Sequence, residues 1–87
     1  MATDKKLQCV VVTPEKAIFD EPAEMVILPM IDGELGVQPG HSALVGKLGK
    51  GELRLKLGVD TKKWLIEGGF AQVRGDVVTV LTTRVNS

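Results

Sequence analysis

Apolar and polar residues along the chain either alternate or gather into short apolar runs, and each stretch is cut by proline or glycine. Leu7 to Val12 is a β-branched run stopped by Thr13-Pro14, because proline cannot donate to a strand ladder. Lys16 to Asp20 alternates weakly and breaks at Glu21-Pro22, and Ala23 to Leu28 is a second apolar run closed by Pro29. Leu53, Leu55 and Leu57 alternate with Glu52, Arg54 and Lys56. That period of two marks a strand with one face buried and one solvated, so all three leucines are expected to point inward. The charged stretch Asp60 to Lys63 reads as a hairpin tip before a strand at Trp64 to Ile66. Phe70 to Arg74 and Val77 to Thr83 form a last pair joined by Gly75-Asp76. Nowhere do apolar residues spaced by three and four persist for two helical turns without a glycine or proline. The pattern predicts an all-β fold, a sandwich or a barrel.

Length and composition narrow this further. Eighty-seven residues make one domain, 1–87, whose core must be continuous because so small a chain buries only about 60% of its unfolded surface. Only Phe19, Trp64 and Phe70 are aromatic, so Val, Leu and Ile must fill that core. Eleven basic and eleven acidic residues cancel, which excludes nucleic-acid binding by counterion release and a polybasic membrane anchor. The single cysteine, Cys9, excludes a disulfide framework and a multi-cysteine zinc site, and suits a reducing compartment. The run Met25 to Leu28 is far shorter than the roughly 20 residues that span a bilayer. Met1 to Lys6 has charge but no apolar stretch of signal-peptide length behind it. A soluble, intracellular type of chain is expected, with Thr3 to Lys6 and Arg84 to Ser87 as frayed ends.

Candidate chemistry is sparse. Cys9 and His41 formally allow a nucleophilic pair, and with it a small hydrolase, but Cys9 sits in an apolar run where a thiol packs as a hydrophobe. His41 lies in the turn Pro39-Gly40-His41-Ser42, the setting of a surface or contact histidine rather than a base. Scattered carboxylates such as Asp32 and Glu34 lack metal-ligand spacing, so no metal and no cofactor are expected. Gly46 to Gly51 reads as a glycine-rich turn, since it lacks the spacing and following helix of a phosphate-binding loop. Glu15-Lys16-Ala17 gives an alternative of another class, a lipoyl- or biotinyl-type carrier domain with Lys16 as the modified residue; only one strand precedes Lys16, whereas such domains place about half their strands before it. The densest feature is Gly33 to Leu44, with three glycines and a proline in twelve residues. It is either a strand connection or a rigid contact loop that presents Glu34 and His41.

At this segment the chain resembles the N-terminal domain of the epsilon subunits of F-type ATP synthases, which carry Gly-Glu-Leu-Gly-(Val/Ile)-x-Pro-Gly-His-(Ala/Ser)-x-Leu, matched from Gly33 to Leu44. Leu7 to Phe19 resembles the family's opening strand and its continuation. Leu48 to Leu53 resembles the Leu-x-x-Gly-x-(Leu/Ile) step. Gly68 to Val73, with Val77 to Leu81, resembles the closing Gly-Gly-(Phe/Ile)-x-x-Val and Val-Thr-Val-Leu pair. Two departures stand out. Met30 replaces a common glycine, and Thr82-Thr83-Arg84 replaces the Ala-Asp-x-Ala passage into a C-terminal helical hairpin.

The resemblance implies a β-sandwich of about ten short strands and a non-catalytic rotor component of the central stalk. Its implied partners are the gamma subunit and the membrane-embedded c ring. Membrane contact comes only through the complex, on the cytoplasmic side of the energy-transducing membrane, with no self-assembly required. Glu34 resembles the acidic residue that faces the polar loops of the ring, which commonly present arginine. Gln38, His41 and Ser42 resemble the segment near the gamma and ring contacts. Without the hairpin, the 87 residues are expected to couple rotation without inhibiting it and to bind no ATP.

Overall fold

The computed structural model describes residues 6–86. Thr3 to Lys5 and Ser87, which belong to the ends expected to fray, lie outside the described residues. Ten strands follow in order: β1 (Leu7–Val12), β2 (Ala17–Ala23), β3 (Met25–Met30), β4 (Gly33–Val37), β5 (Leu44–Lys47), β6 (Lys50–Leu57), β7 (Asp60–Glu67), β8 (Phe70–Arg74), β9 (Val77–Leu81) and β10 (Val85–Asn86). They build two five-stranded sheets, β2-β1-β9-β8-β5 and β10-β7-β6-β3-β4. Neighbours pair antiparallel except β1 and β9, which run parallel from Gln8 opposite Val77 to Val12 opposite Leu81. A parallel pair needs a long connection, and here that connection runs through β2, β5 and β8 of the first sheet and β3, β4, β6 and β7 of the second. The expected all-β sandwich is therefore what forms.

The core lies between the sheets. Leu7, Cys9, Val11, Ala71, Val73, Val78 and Val80 of the first sheet face Val26, Leu28, Val37, Leu53, Leu55 and Ile66 of the second, all buried. Aliphatic residues fill it, as the shortage of aromatics requires. Phe19 on β2 stacks on Trp64 of β7 with ring centroids 4.3 Å apart, linking the two sheets at that side. Met30 puts its methyl 2.5 Å from where a Cβ on Gly46 would stand. The missing side chain at Gly46 is thus filled by Met30 from the other sheet.

Several local expectations need correction. Pro22 does not end β2, because β2 is the edge of its sheet and an edge strand tolerates a residue without an N–H. Pro29 likewise lies inside β3, since β6 pairs with β3 only from Met25 to Ile27. Asp60 to Lys63 is not a hairpin tip but the first half of β7, paired with Arg54 to Leu57. The tip is Gly58-Val59, with Gly58 at a φ of 63°, as a two-residue hairpin with glycine first prefers. Leu57, beside that tip, is 38% exposed, so of the three alternating leucines only Leu53 and Leu55 reach the core. Gly46 to Gly51 is not a free turn either; it is the end of β5, a step between sheets in which Leu48 is buried, and the start of β6. At the C-terminal side, Val85 and Asn86 are not frayed but pair with Ile66 and Leu65.

Candidate functional site

The motif from Gly33 to Leu44 divides into an edge strand and a crossing loop. In β4, Leu35 and Val37 turn toward the core while Glu34 and Gly36 face outward, the alternation any strand imposes. Glu34 stands opposite Pro29, next to the tight β3–β4 connection at Ile31-Asp32. Its carboxylate is 59% exposed and accepts from Arg54 Nη2 at 2.5 Å. Arg54 lies two strands away on β6, opposite Ile27, which is in turn opposite Gly36. The guanidinium therefore reaches across β3 to close the pair on the outer face of the second sheet. Arg54 Nε is buried and has no hydrogen-bond partner among the described residues.

Gln38, His41 and Ser42 belong to the loop that leaves the far end of β4 and crosses to β5 in the other sheet. The structure thus separates Glu34 from the other three expected contact residues rather than gathering all four. Gln38 and Ser42 are exposed and His41 is half-buried. The loop turns where the His41 N–H donates to the Gln38 carbonyl at 3.1 Å. His41 Nδ1 lies 2.7 Å from the Ser42 carbonyl oxygen, which can only accept, so this nitrogen carries the proton and Nε2 is left for an outside partner. Gly40, with a φ of 88°, donates its N–H to Asp76 Oδ1 at 2.8 Å.

Asp76 is a residue that sequence reasoning missed. It shares the two-residue β8–β9 turn with Gly75, and both have positive φ, 52° at Gly75 and 58° at Asp76, as a type I′ turn requires. Its carbonyl accepts from Gln8 N–H at 2.9 Å, so one residue joins the β8–β9 turn, β1 and the crossing loop. The sequence shows Gly75-Asp76 as a connector, but its distance of 36 residues from Gly40 hides the contact. Arg54 was missed as a partner of Glu34 for the same reason.

The other candidates offer little chemistry. Cys9 is fully buried, and burial first, with the charges of Asp20 and Glu21 behind it, pushes its thiol from an ordinary 9.0 up to about 12. Such a thiol is protonated at neutral pH and is no nucleophile. Among the described residues, no three His, Cys, Asp or Glu side chains converge as a metal site. Lys16 is exposed in the turn before β2, where its carbonyl accepts from Thr13 N–H at 2.9 Å, and nothing around it favours a carrier role. An open apolar cleft of about 290 Å³ runs along Val12, Pro14, Phe70 and Leu81 with no ionisable side chain in its lining. It borders an apolar stripe on the outer face of the first sheet, where Val12, Leu81 and Phe70 stand in register and Phe70 and Leu81 are half exposed.

Comparison with known proteins gives a consistent picture. Residues 6–87 match the family described as ATP synthase, Delta/Epsilon chain, beta-sandwich domain. An ATP synthase epsilon chain of Rhodopirellula baltica is 53% identical over 78 residues, covering 90% of this chain and 61% of that protein. An epsilon chain from a Synechococcus species is 43% identical over 77 residues, covering 85% of this chain and 54% of its own length. The chain thus spans between half and two thirds of the length of these curated relatives. Among solved structures, a chain in the Euglena gracilis mitochondrial ATP synthase OSCP/F1/c-ring assembly superposes with a TM-score of 0.85 at 28% identity, covering 92% of this chain and 52% of its own. A chain in the central stalk/c-ring structure of the Tetrahymena thermophila enzyme has a TM-score of 0.75 at 15% identity, covering 97% of this chain and 68% of its own, a likeness of fold.

Proposed function

This chain belongs to the ATP synthase delta/epsilon β-sandwich family, and from that membership we propose that it is a non-catalytic rotor component of the central stalk, joining the gamma subunit to the c ring. The observation that carries this function is the likeness, over 92% of the chain, to a component of an F1/c-ring assembly. The physics of the domain supports it. Ion-driven rotation of the ring has to be passed on with little give, and a close-packed sandwich deforms little under load. Residues 1–87 act as one domain in this role. The complex holds it at the cytoplasmic face of the energy-transducing membrane, peripheral and without lipid contact of its own.

Within that role Glu34 meets the polar loops of the c ring, and Gln38, His41 and Ser42 lie at the gamma and ring contacts. An arginine on a ring loop would pair with the exposed carboxylate of Glu34 by a charge-assisted hydrogen bond. Val12 with the exposed Leu81 and Phe70, in register on the outer face of the first sheet, also favours life in an assembly, because a contiguous apolar stripe marks a surface that a partner covers. Co-purification of the chain with the c ring tests the assignment. Glu34→Lys is expected to weaken ring attachment while the sandwich stays folded, and attachment at full strength would count against Glu34 as the ring contact.

A further inference from the structure

We propose that Asp76 is a positioning residue that holds the crossing loop, Gln38 to Ser42, in its binding conformation. This rests on the reading of that loop as a contact with the gamma subunit. Asp76 is the one non-glycine residue with positive φ among the described residues, at 58°. An L-residue adopts that conformation at a cost, and such strain persists where surrounding contacts hold it. Two contacts hold it here. Its carbonyl takes the Gln8 N–H of β1, and its carboxylate takes the Gly40 N–H at 2.8 Å.

The second contact is the informative one. Gly40 sits between Gln38 and His41-Ser42, the side chains assigned to the interface, and its φ of 88° makes it the point about which the loop turns. Glycine has no side chain to brace this turn, so its N–H is the available handle. A carboxylate is a strong acceptor for a backbone N–H, about twice as strong as a neutral one. Among the described residues the other hydrogen bonds of the loop are local, from His41 N to Gln38 O and from His41 Nδ1 to Ser42 O. Neither fastens the loop to the sheets. Asp76 does, and it stands on a turn that is itself tied to β1. Fixing the loop before the partner arrives removes ordering entropy from the binding step.

Two substitutions separate the carboxylate from the backbone strain. Glycine and asparagine both accept a positive φ, so Asp76→Gly and Asp76→Asn keep the turn. Only asparagine retains an oxygen for Gly40. Amide hydrogen exchange and affinity for the gamma subunit are measured on both, with Ser42→Arg as the direct test of the loop as a contact. In Asp76→Gly, exchange at Gly40 is expected to quicken about tenfold while Val78 and Val80 keep their protection. Affinity for gamma is expected to fall about five- to tenfold, and Asp76→Asn to recover most of both. If Asp76→Gly binds gamma as the parent does while Ser42→Arg does not, the loop is a contact but Asp76 does not position it. If Ser42→Arg also binds fully, the contact reading fails and the proposal falls with it. Exchange that quickens equally at Gly40, Val78 and Val80 would make Asp76 a general support of the fold and would likewise overturn the proposal.

Discussion

Cys9 shows how far burial changes a side chain. With no exposed surface and a pKa of about 12, it should not react with a thiol reagent at pH 8 unless the chain unfolds. The sign of its pH effect follows from the direction of the shift. The folded state holds the proton more tightly than the unfolded state, so the contribution is complete below pH 9 and is lost as pH rises toward 12. Alkaline unfolding of Cys9→Ala compared with the parent isolates this term, and the parent should lose stability more steeply across that window. Leu55, 3% exposed on the inner face of β6, makes a simpler prediction. Leu55→Ala should lower stability by about 2–5 kcal/mol, the usual range for a truncated core leucine, read from denaturant unfolding.

At the scale of elements, the steps between sheets are the vulnerable places. Gly69, at a φ of 113°, connects β7 of one sheet to β8 of the other, and its carbonyl accepts from Leu48 N–H at 2.9 Å. A Cβ there would stand 2.0 Å from the Leu81 carbonyl oxygen and 2.9 Å from Thr82 Cα, both backbone. Backbone cannot swing aside as a side chain can. Gly69→Ala should therefore cost more than about 3 kcal/mol and give a chain that is largely unfolded or insoluble. Gly36→Ala is the control. Its Cβ would meet the Met25 methyl at 2.6 Å, the far end of a flexible side chain, so the cost should stay below about 1 kcal/mol. Melting temperatures of the two variants decide whether the rigidity lies at the sheet crossing.

For the whole molecule, the pair between Glu34 and Arg54 joins stability to assembly. Its side chains are 59% and 29% exposed, and a pair so open to water contributes about 0–1 kcal/mol. Glu34→Lys should thus change stability by no more than about 1 kcal/mol, through lost attraction and new repulsion from Arg54. Its main effect should appear in ring attachment. Because the carboxylate is already paired within the chain, a guanidinium from a ring loop would share it with Arg54. Attachment should accordingly weaken with added salt in the parent, and this salt dependence should shrink in Glu34→Gln. Co-purification across a salt series checks both.

The strand content, the all-β class and the aliphatic core were legible in the sequence because a period of two and the placement of proline and glycine act over a few residues. Leu53 and Leu55 point inward as their alternation requires, and Cys9 packs as its apolar run implies. The motif from Gly33 to Leu44 was legible as a unit for the same reason. What proline does, however, depends on whether its strand has a neighbour on the side of the missing N–H. Only the sheet order shows that Pro22 lies on an edge and Pro29 beyond the reach of β6. Leu57 and the hairpin tip at Gly58-Val59 were misplaced because register is set by both strands together. The pairings of Glu34 with Arg54 and of Gly40 with Asp76 join residues 20 and 36 positions apart. No local pattern encodes such contacts. The first exists because β4 and β6 flank β3 in one sheet, the second because the chain crosses between the sheets past the β8–β9 turn, and there the tertiary structure decided how the candidate site is held.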